Sequence, residues 1–328
     1  MLSRAATSLA LLGRHLERAD HLARILGVHV SLSLDRTDEP GPEFWTRFME
    51  LAGWPGSDPR GRDEAVEVTI TGTLGPSVRA SVGAARIAAQ AVRPSLPTEL
   101  YEQVNALHWR IQNPTWQPDL YPFLNDVQLS IRLVDGLLED TMQHDEARDF
   151  VRLGKFVERT ANVTAIVTRK SAMLTDAPED ILEWSAVLKS CFAFESYQAR
   201  HSGGVTAERV IDFLLFESAL PRSARFSARM ALDAVSRIDG PGRRSKPKRL
   251  LTLLHAMFNG AATEMVSEHP VEFETECRGV LRQLELAMRE TYFHPSKVPA
   301  NVIGDEGRAM PQQQQQSVGP ILLGLARQ

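Results

Sequence analysis

An all-α fold, a multi-helix bundle, is what this sequence predicts, on three observations. Apolar residues recur at helical spacing through most of its 328 residues. The long stretches are rich in Ala, Leu, Arg and Glu, side chains of high intrinsic helix propensity. Only Val66-Glu-Val-Thr-Ile-Thr71 alternates as a strand would, and one short strand has nothing to pair with; it reads equally as a helix continued from Asp63.

Taken in order, the first helix is expected over 3–27, stopped by Gly27, and a short second one from Pro42 to Leu51, after the polar stretch Asp35-Arg-Thr-Asp-Glu-Pro40. Gly53 to Arg62 is a Gly/Pro-rich loop. Helices follow near 76–93, 97–112, 121–143, 145–174, 179–201, 206–217, 221–238, 246–267 and 271–293, most of them bounded by Pro or Gly. Trp109, Trp116, Tyr121 and Phe123, interrupted by Pro114, Pro118 and Pro122, form a rigid turn expected to pack into the core. The basic run Asp239-Gly-Pro-Gly-Arg-Arg-Ser-Lys-Pro-Lys-Arg249 reads as a solvated interhelical loop rather than a nucleic-acid patch. The helical domain is expected to span 1–296. Beyond it, residues 297–328 carry the tract Gln312 to Gln316 and too little apolar surface to order themselves, so a disordered tail is expected, its Ile321-Leu-Leu-Gly-Leu325 the one segment able to act as an apolar anchor.

Composition narrows the function classes. With 43% hydrophobic and 24% charged residues the chain can bury a large core, and a net charge of −4 gives no general attraction to nucleic acid or an acidic membrane. The apolar patch near the start runs directly into Arg14, Glu17, Arg18 and Asp20, unlike a signal peptide, and no uncharged apolar run reaches the ~18 residues of a spanning helix. A cytoplasmic protein is expected. Cys191 and Cys277 lack a partner motif and read as buried free thiols. Glu17 with His21, or His144 with Asp145 or Glu146, could meet a metal, but a di-iron bundle needs paired E-x-x-H motifs, and none occurs. Ser202-Gly-Gly204 is no nucleophile elbow, and neither G-x-x-x-x-G-K-[ST] nor G-x-G-x-x-G is present. No metal or cofactor is expected; if the system uses a nucleotide, a partner binds it.

The most informative feature is a repeat. Leu12-Gly-Arg-His-Leu-Glu-Arg-Ala-Asp-His-Leu-Ala23 recurs as Leu153-Gly-Lys-Phe-Val-Glu-Arg-Thr-Ala-Asn-Val-Thr164. At 100° per residue, Leu12, Leu16, Ala19, Leu22, Ala23 and Leu26 form an apolar stripe opposite Arg14, Glu17, Arg18, His21 and Arg24. The second copy sets Leu153, Val157, Thr160, Val163 and Val167 against Lys155, Glu158, Arg159 and Asn162. Two similar helices are implied, with pseudo-twofold packing one arrangement open to them. Gly13 and Gly154 each cost about 1 kcal/mol relative to Ala inside a helix, and close helix–helix approach supplies a reason for them. Two readings of the charged faces stand: solvated faces laced with short-range ion pairs, or one shared cleft in which Arg clamps a carboxylate or phosphate and Glu orients it or acts as base.

Met1-Leu-Ser-Arg4 followed by Leu12-Gly-Arg-x-Leu-Glu-Arg-Ala19 resembles the opening of the bacterial alpha-E domain proteins. The resemblance continues at Asn105, through Asp145-Glu-Ala-Arg-Asp-Phe-Val-Arg-Leu-Gly-Lys-Phe-Val-Glu-Arg159, Phe194-Glu-Ser-Tyr197 and Val210-Ile-Asp-Phe-Leu-Leu215 to Pro221-Arg-Ser-Ala-Arg-Phe226, covering about residues 1–295. Two departures stand out. The family's A-R-E-N-A-R segment is Ala85-Arg-Ile-Ala-Ala-Gln90, keeping Arg86, and Tyr101 replaces a Trp. The resemblance implies a helical protein encoded beside or fused to a circularly permuted ATP-grasp protein, often near a transglutaminase-like protease, a setting for ATP-dependent amide or peptide-bond formation. An accessory partner of such a ligase is therefore the first expectation. The alternative is an enzyme acting on carboxylate or peptide substrates, whose cleft gathers Arg14, Glu17, Arg18, Arg86, Glu158, Arg159, Glu195, Tyr197, Asp212, Arg222 and Arg225.

Overall fold

In a computed structural model of the chain, which describes residues 3–293 apart from 37–39, 74, 113–118, 176, 178–179 and 261–262, the apolar periodicity becomes a set of packed α-helices. They are α1 (Ser3–Leu34), α2 (Pro42–Leu51), α3 (Arg62–Thr71), α4 (Val78–Ala91), α5 (Thr98–Gln112), α6 (Leu120–Thr141) and α7 (Glu146–Met173). These are followed by α8 (Ile181–Ser190), α9 (Phe194–Arg200), α10 (Ala207–Phe216), α11 (Ala224–Asp239), α12 (Lys246–Gly260), α13 (Thr263–Glu268) and α14 (Pro270–Met288), the last running into a π turn over Arg289–Phe293. No strand occurs among the described residues, so the fold is all-α. Local chemistry sets the starts. Asp145 accepts from the Ala147 and Arg148 amides at 2.9 and 3.2 Å, Ser77 from Ala80 at 3.1 Å and Ser223 from Phe226 at 3.0 Å, while Pro42 and Pro270 occupy first turns where no amide is needed.

Two long helices, α1 and α7, form the centre. They run side by side in the same direction: Ala10 lies against Gly154, Arg14 reaches Glu158, and Glu17 meets Arg159. Parallel neighbours require the chain to return to the same end between them, and α2 to α6 make that return. Around this pair, α4, α6 and α8 cover α1, while α11, α14 and α10 cover α7. Leu9, Leu12, Leu22, Ile25 and Leu26 of α1 are fully buried, together with Phe48, Trp184 and Phe150.

The two helical glycines explain the pair's closeness. A methyl carbon on Gly13 would overlap the Val151 carbonyl oxygen, and one on Gly154 would overlap the Ala10 carbonyl oxygen. Val151 and Ala10 hold matching places in the two copies of the repeat, so the contact is reciprocal, the pattern a local twofold axis between parallel helices produces.

Several boundaries differ from expectation. Gly27 does not stop α1; it keeps helical φ, sits 3.6 Å from Leu124 Cδ1 for an added Cβ, and the helix continues to Leu34 because its next turns bury Val30 and Leu32. Val66–Thr71 is helical within α3. The helix expected over 179–201 breaks after Ser190, where Phe192 adopts a left-handed φ of 51°. The one expected over 246–267 is α12 and α13, with 261–262 outside the described residues. Of the aromatic turn, Phe123 is buried, whereas Trp109 and Tyr121 are exposed and Trp116 lies outside the described residues. The tail expected over 297–328 also lies outside them. Among the described residues no helix is long and apolar enough to cross a membrane.

Gly13→Ala and Gly154→Ala are each expected to destabilise the protein by about 3 kcal/mol, since the clash is with rigid backbone. Gly83→Ala and Gly136→Ala, at helical positions where an added Cβ meets nothing within 4 Å, should instead stabilise by about 0.5–1 kcal/mol. Urea unfolding midpoints of the four variants measure both signs.

Candidate functional site

One turn beyond each glycine, the Glu-Arg dipeptides meet across the α1–α7 seam. Arg159 forks onto Glu17, with Nε donating to Oε1 at 2.8 Å and Nη2 to Oε2 at 2.6 Å. Arg18 forks onto Glu158 in the reciprocal arrangement, at 2.7 Å from Nε and 3.2 Å from Nη2. Each dipeptide therefore gives its acid to the other copy's base. Planar guanidinium–carboxylate forks of this kind are directional, and only a close crossing brings both within reach. The solvated-face reading fails here: Glu17 is 4% exposed, and Glu158 and Arg159 are each 6% exposed.

The two sides of the seam are elaborated differently. Around Glu17 the network is sealed. Arg222 donates to Glu17 at 3.2 Å and to Asp20 at 3.1 Å, and Arg24 donates to Asp20 and, at 2.9 Å, to the Ser190 carbonyl. Burial opposes ionisation of Glu17, but Arg159 and Arg222 outweigh it and hold its carboxyl well below the usual range. Burial and the neighbouring Arg222 pull Arg24 down. Lys155, which stands where the first copy has Arg14, pairs with Asp135 of α6 at 2.8 Å. Three arginines face the Phe192 ring: Arg24 and Arg132 at 4.2 Å and Arg222 at 5.3 Å.

Around Glu158 the seam opens instead. Arg14 adds a hydrogen bond at 3.0 Å, and Arg14, Arg18 and Glu158 line a cavity of about 590 Å³ bounded by α1, α4, α7 and α14. His15, His21, Asn162, Arg169, Glu274 and Arg278 share its wall. Burial, reinforced by Arg18 and Arg14, lowers His15 to about 4; burial, with Arg222 and Arg169, lowers His21 to about 4 against Glu17 and Glu158. Both rings are neutral near pH 7.

The remaining candidates lie apart. Arg86 donates to Asn105 at 2.8 Å and stacks 5.3 Å from the Trp109 ring, on α4 and α5. Glu195 is exposed at a second cavity lined by Arg24, Arg132 and Phe192. Tyr197 is buried and donates to the Gly204 carbonyl at 3.0 Å, exposed Asp212 accepts from Thr263 at 3.1 Å, and Arg225 donates to the Phe216 carbonyl at 3.2 Å. Of the set, Arg14, Arg18 and Glu158 share the open cavity and Glu17, Arg159 and Arg222 the sealed network behind it. Sequence reading missed Asp20 and Arg24 as a pair, and Asn162 and Arg169 as wall residues. Their spacing of four and eleven from Glu158 placed Asn162 and Arg169 on its helical face; nothing local pointed to Glu274 or Arg278 on α14. Among the described residues no group of three or more His, Cys, Asp or Glu is placed to hold a metal.

Two outcomes follow from the geometry. Arg159→Met leaves Glu17 buried beside a single remaining arginine and should cost about 3 kcal/mol or more. Arg18→Met, on the open side where Arg14 still pairs with Glu158, should cost about 1 kcal/mol by the same urea measurement. The histidines give the pH dependence. Folded His15, His21 and His29, lowered to about 4, 4 and 3 chiefly by burial, stay unprotonated where the unfolded rings, near pH 6.5, take up protons. Their contribution to stability is complete above pH 6.5 and declines as pH falls towards 4. The urea midpoint should drop between pH 7 and pH 5, and His21→Gln should flatten that slope.

Residues 1–293 match the Alpha-E family, described as a predicted alpha-helical domain with a conserved ER motif. Over 97% of its length the chain is 24% identical to the uncharacterized protein Rv2567 of Mycobacterium tuberculosis and equally to Mb2597 of Mycobacterium bovis. It spans 38% of the length of these relatives. No solved structure matches the chain. A Glu-Arg dipeptide stands at the centre of each copy of its repeat, and with a match that covers every described residue, the protein belongs to the Alpha-E family.

Proposed function

We propose that the protein is a helical accessory subunit, without independent catalytic activity, that serves an ATP-grasp amide or peptide ligase. The observation that carries this reading is the consumption of the motif's acids: Glu17 and Glu158 each spend both carboxylate oxygens on guanidinium groups of this same chain. Glu17, held ionised by its arginines, has no proton to give and resists taking one. The dipeptides thus serve best as the pin that fixes α1 to α7. Two further observations favour a protein partner. Curated relatives extend well beyond the matched part, leaving length for a fused domain. Tyr121, Leu182 and Phe192 stand exposed around the groove of about 470 Å³ between α6 and α8. A transglutaminase-like protein belongs to the same proposed system.

A second reading keeps the chain an enzyme acting on carboxylate or peptide substrates, and the cavity shared by Arg14, Arg18 and Glu158 favours it.

Co-expression with a circularly permuted ATP-grasp protein is expected to give one complex on size exclusion, lost in the doubly substituted Tyr121→Glu/Leu182→Glu chain. Ligase turnover should require both proteins. Absence of a complex at micromolar concentration, together with turnover of a peptide or amide by this chain alone, would favour the enzyme reading.

A further inference from the structure

The open side of the seam is a trough because the second copy of the repeat lacks what fills the first. Asp20 and Arg24, which pair and seal the Glu17 side, correspond by the alignment of Gly13 with Gly154 to Ala161 and Ala165. Both alanines line the cavity, and across from them α4 contributes Ala80, Ser81 and Ala84. Small side chains therefore leave space between two cationic clusters. At one end Arg14 and Arg18 share Glu158; at the other Arg169 and Arg278 share Glu274, with Arg169 at 3.0 Å. Glu158 and Arg169 both belong to α7 and stand about 16 Å apart along its axis at 1.5 Å per residue.

Charge and hydrogen bonding at both ends are incompletely satisfied. Arg14 also pairs with Glu285 at 3.5 Å, which Arg289 holds in turn at 3.0 Å, so five arginines stand against three glutamates in and behind the wall, and neutral His15 and His21 add no charge near pH 7. Among the described residues Arg18 spends Nε and Nη2 on Glu158, leaving Nη1 without an acceptor, and Arg278 spends only Nη2, on Glu274. Between the clusters the buried Asn162 Nδ2 also lacks an acceptor. A cavity of about 590 Å³ falls within the range of small-molecule sites.

We propose that this trough binds an elongated small molecule carrying an anionic group at each end, one held by Arg14 and Arg18 and the other by Arg169 and Arg278. The site is independent of the partner reading, since every group that would hold the ligand belongs to this chain. Carboxylate and phosphate oxygens both match the arginine forks, so the test uses both.

Isothermal titration of the full chain with acetate, succinate, suberate and inorganic tripolyphosphate at pH 7 provides it. Suberate or tripolyphosphate is expected to bind saturably and at least tenfold more tightly than acetate, with suberate ahead of succinate if the end groups are carboxylates. Tripolyphosphate binding without suberate binding would assign the ends to phosphates. Arg278→Glu, at a side chain 64% exposed and so tolerant of change, should weaken binding tenfold or more. Arg60→Glu, with the same change in net charge at a fully solvated side chain, should leave it unaltered. Arg18→Gln, checked for folding by circular dichroism, should weaken binding from the other end. The proposal is overturned if neither long anion saturates below about 10 mM, the limit of specific affinity worth the name, or if Arg278→Glu and Arg60→Glu behave alike.

Discussion

The backbone contact of α1 with α7 at Gly13 and Gly154 is the constraint on which the rest depends. Helices in globular proteins usually pack with axes 8–10 Å apart, a spacing set by the side chains between them. Here no side chain intervenes at the crossing, and each helix lays a carbonyl where the other would carry a Cβ. Only at that proximity can a glutamate one turn away place both oxygens on a guanidinium of the opposite helix while an equivalent pair does the same in reverse. The glycines and the Glu-Arg dipeptides are thus one device: the former set the distance, the latter fix the register. A slip of α7 by a single residue would rotate its acid and base by about 100° and break both forks.

The same device explains why the seam tolerates charge. Burying a carboxylate or guanidinium costs several kcal/mol, and a forked partner roughly offsets that without guaranteeing a surplus. What such a network supplies is discrimination, since packings that do not restore all the forks leave a charge stranded. The Glu17 side carries this furthest, linking Arg159, Glu17, Arg222, Asp20 and Arg24 in one chain of hydrogen bonds that ties α1 to α7 and to the entry of α11. Phe192, held in left-handed backbone at the end of α8, presents its ring to three arginines at the margin of that network.

Much of this architecture was legible in the residues, because helix periodicity, capping residues and the repeat are local signals. The apolar stripes of both copies lie in the core as read, with Val157 only partly buried, and the reason inferred for Gly13 and Gly154 is the contact the structure contains. The charged faces stayed open to two readings for a physical reason. An amphipathic pattern locates a polar stripe but says nothing of what covers it, and here each helix turns its Glu-Arg dipeptide onto the other. Gly27 was misread because a glycine ends a helix through positive φ, which sequence does not report. Arg222, from the turn before α11, and Glu274 and Arg278, from α14, reach the seam from far along the chain, so their roles emerge only from tertiary contact. The scatter of Arg86, Tyr197, Asp212 and Arg225 to separate helices has the same origin: family resemblance ranks residues without placing them.

Unequal filling of two matching copies accounts for the two faces of one seam. Matching positions carry Asp20 and Ala161, His21 and Asn162, Arg24 and Ala165. On one side the larger charged pair fills the space beside the fork; on the other, alanines leave it empty and bare guanidinium edges line it. A symmetric pin would need neither difference, since stability asks only that both forks form. The open side costs packing that a second Asp-Arg pair would have supplied, and it concentrates uncompensated positive charge next to small side chains. Both properties oppose folding and would be offset by the anionic occupant proposed for the trough, so it is the departure from symmetry, more than the motif itself, that carries that proposal.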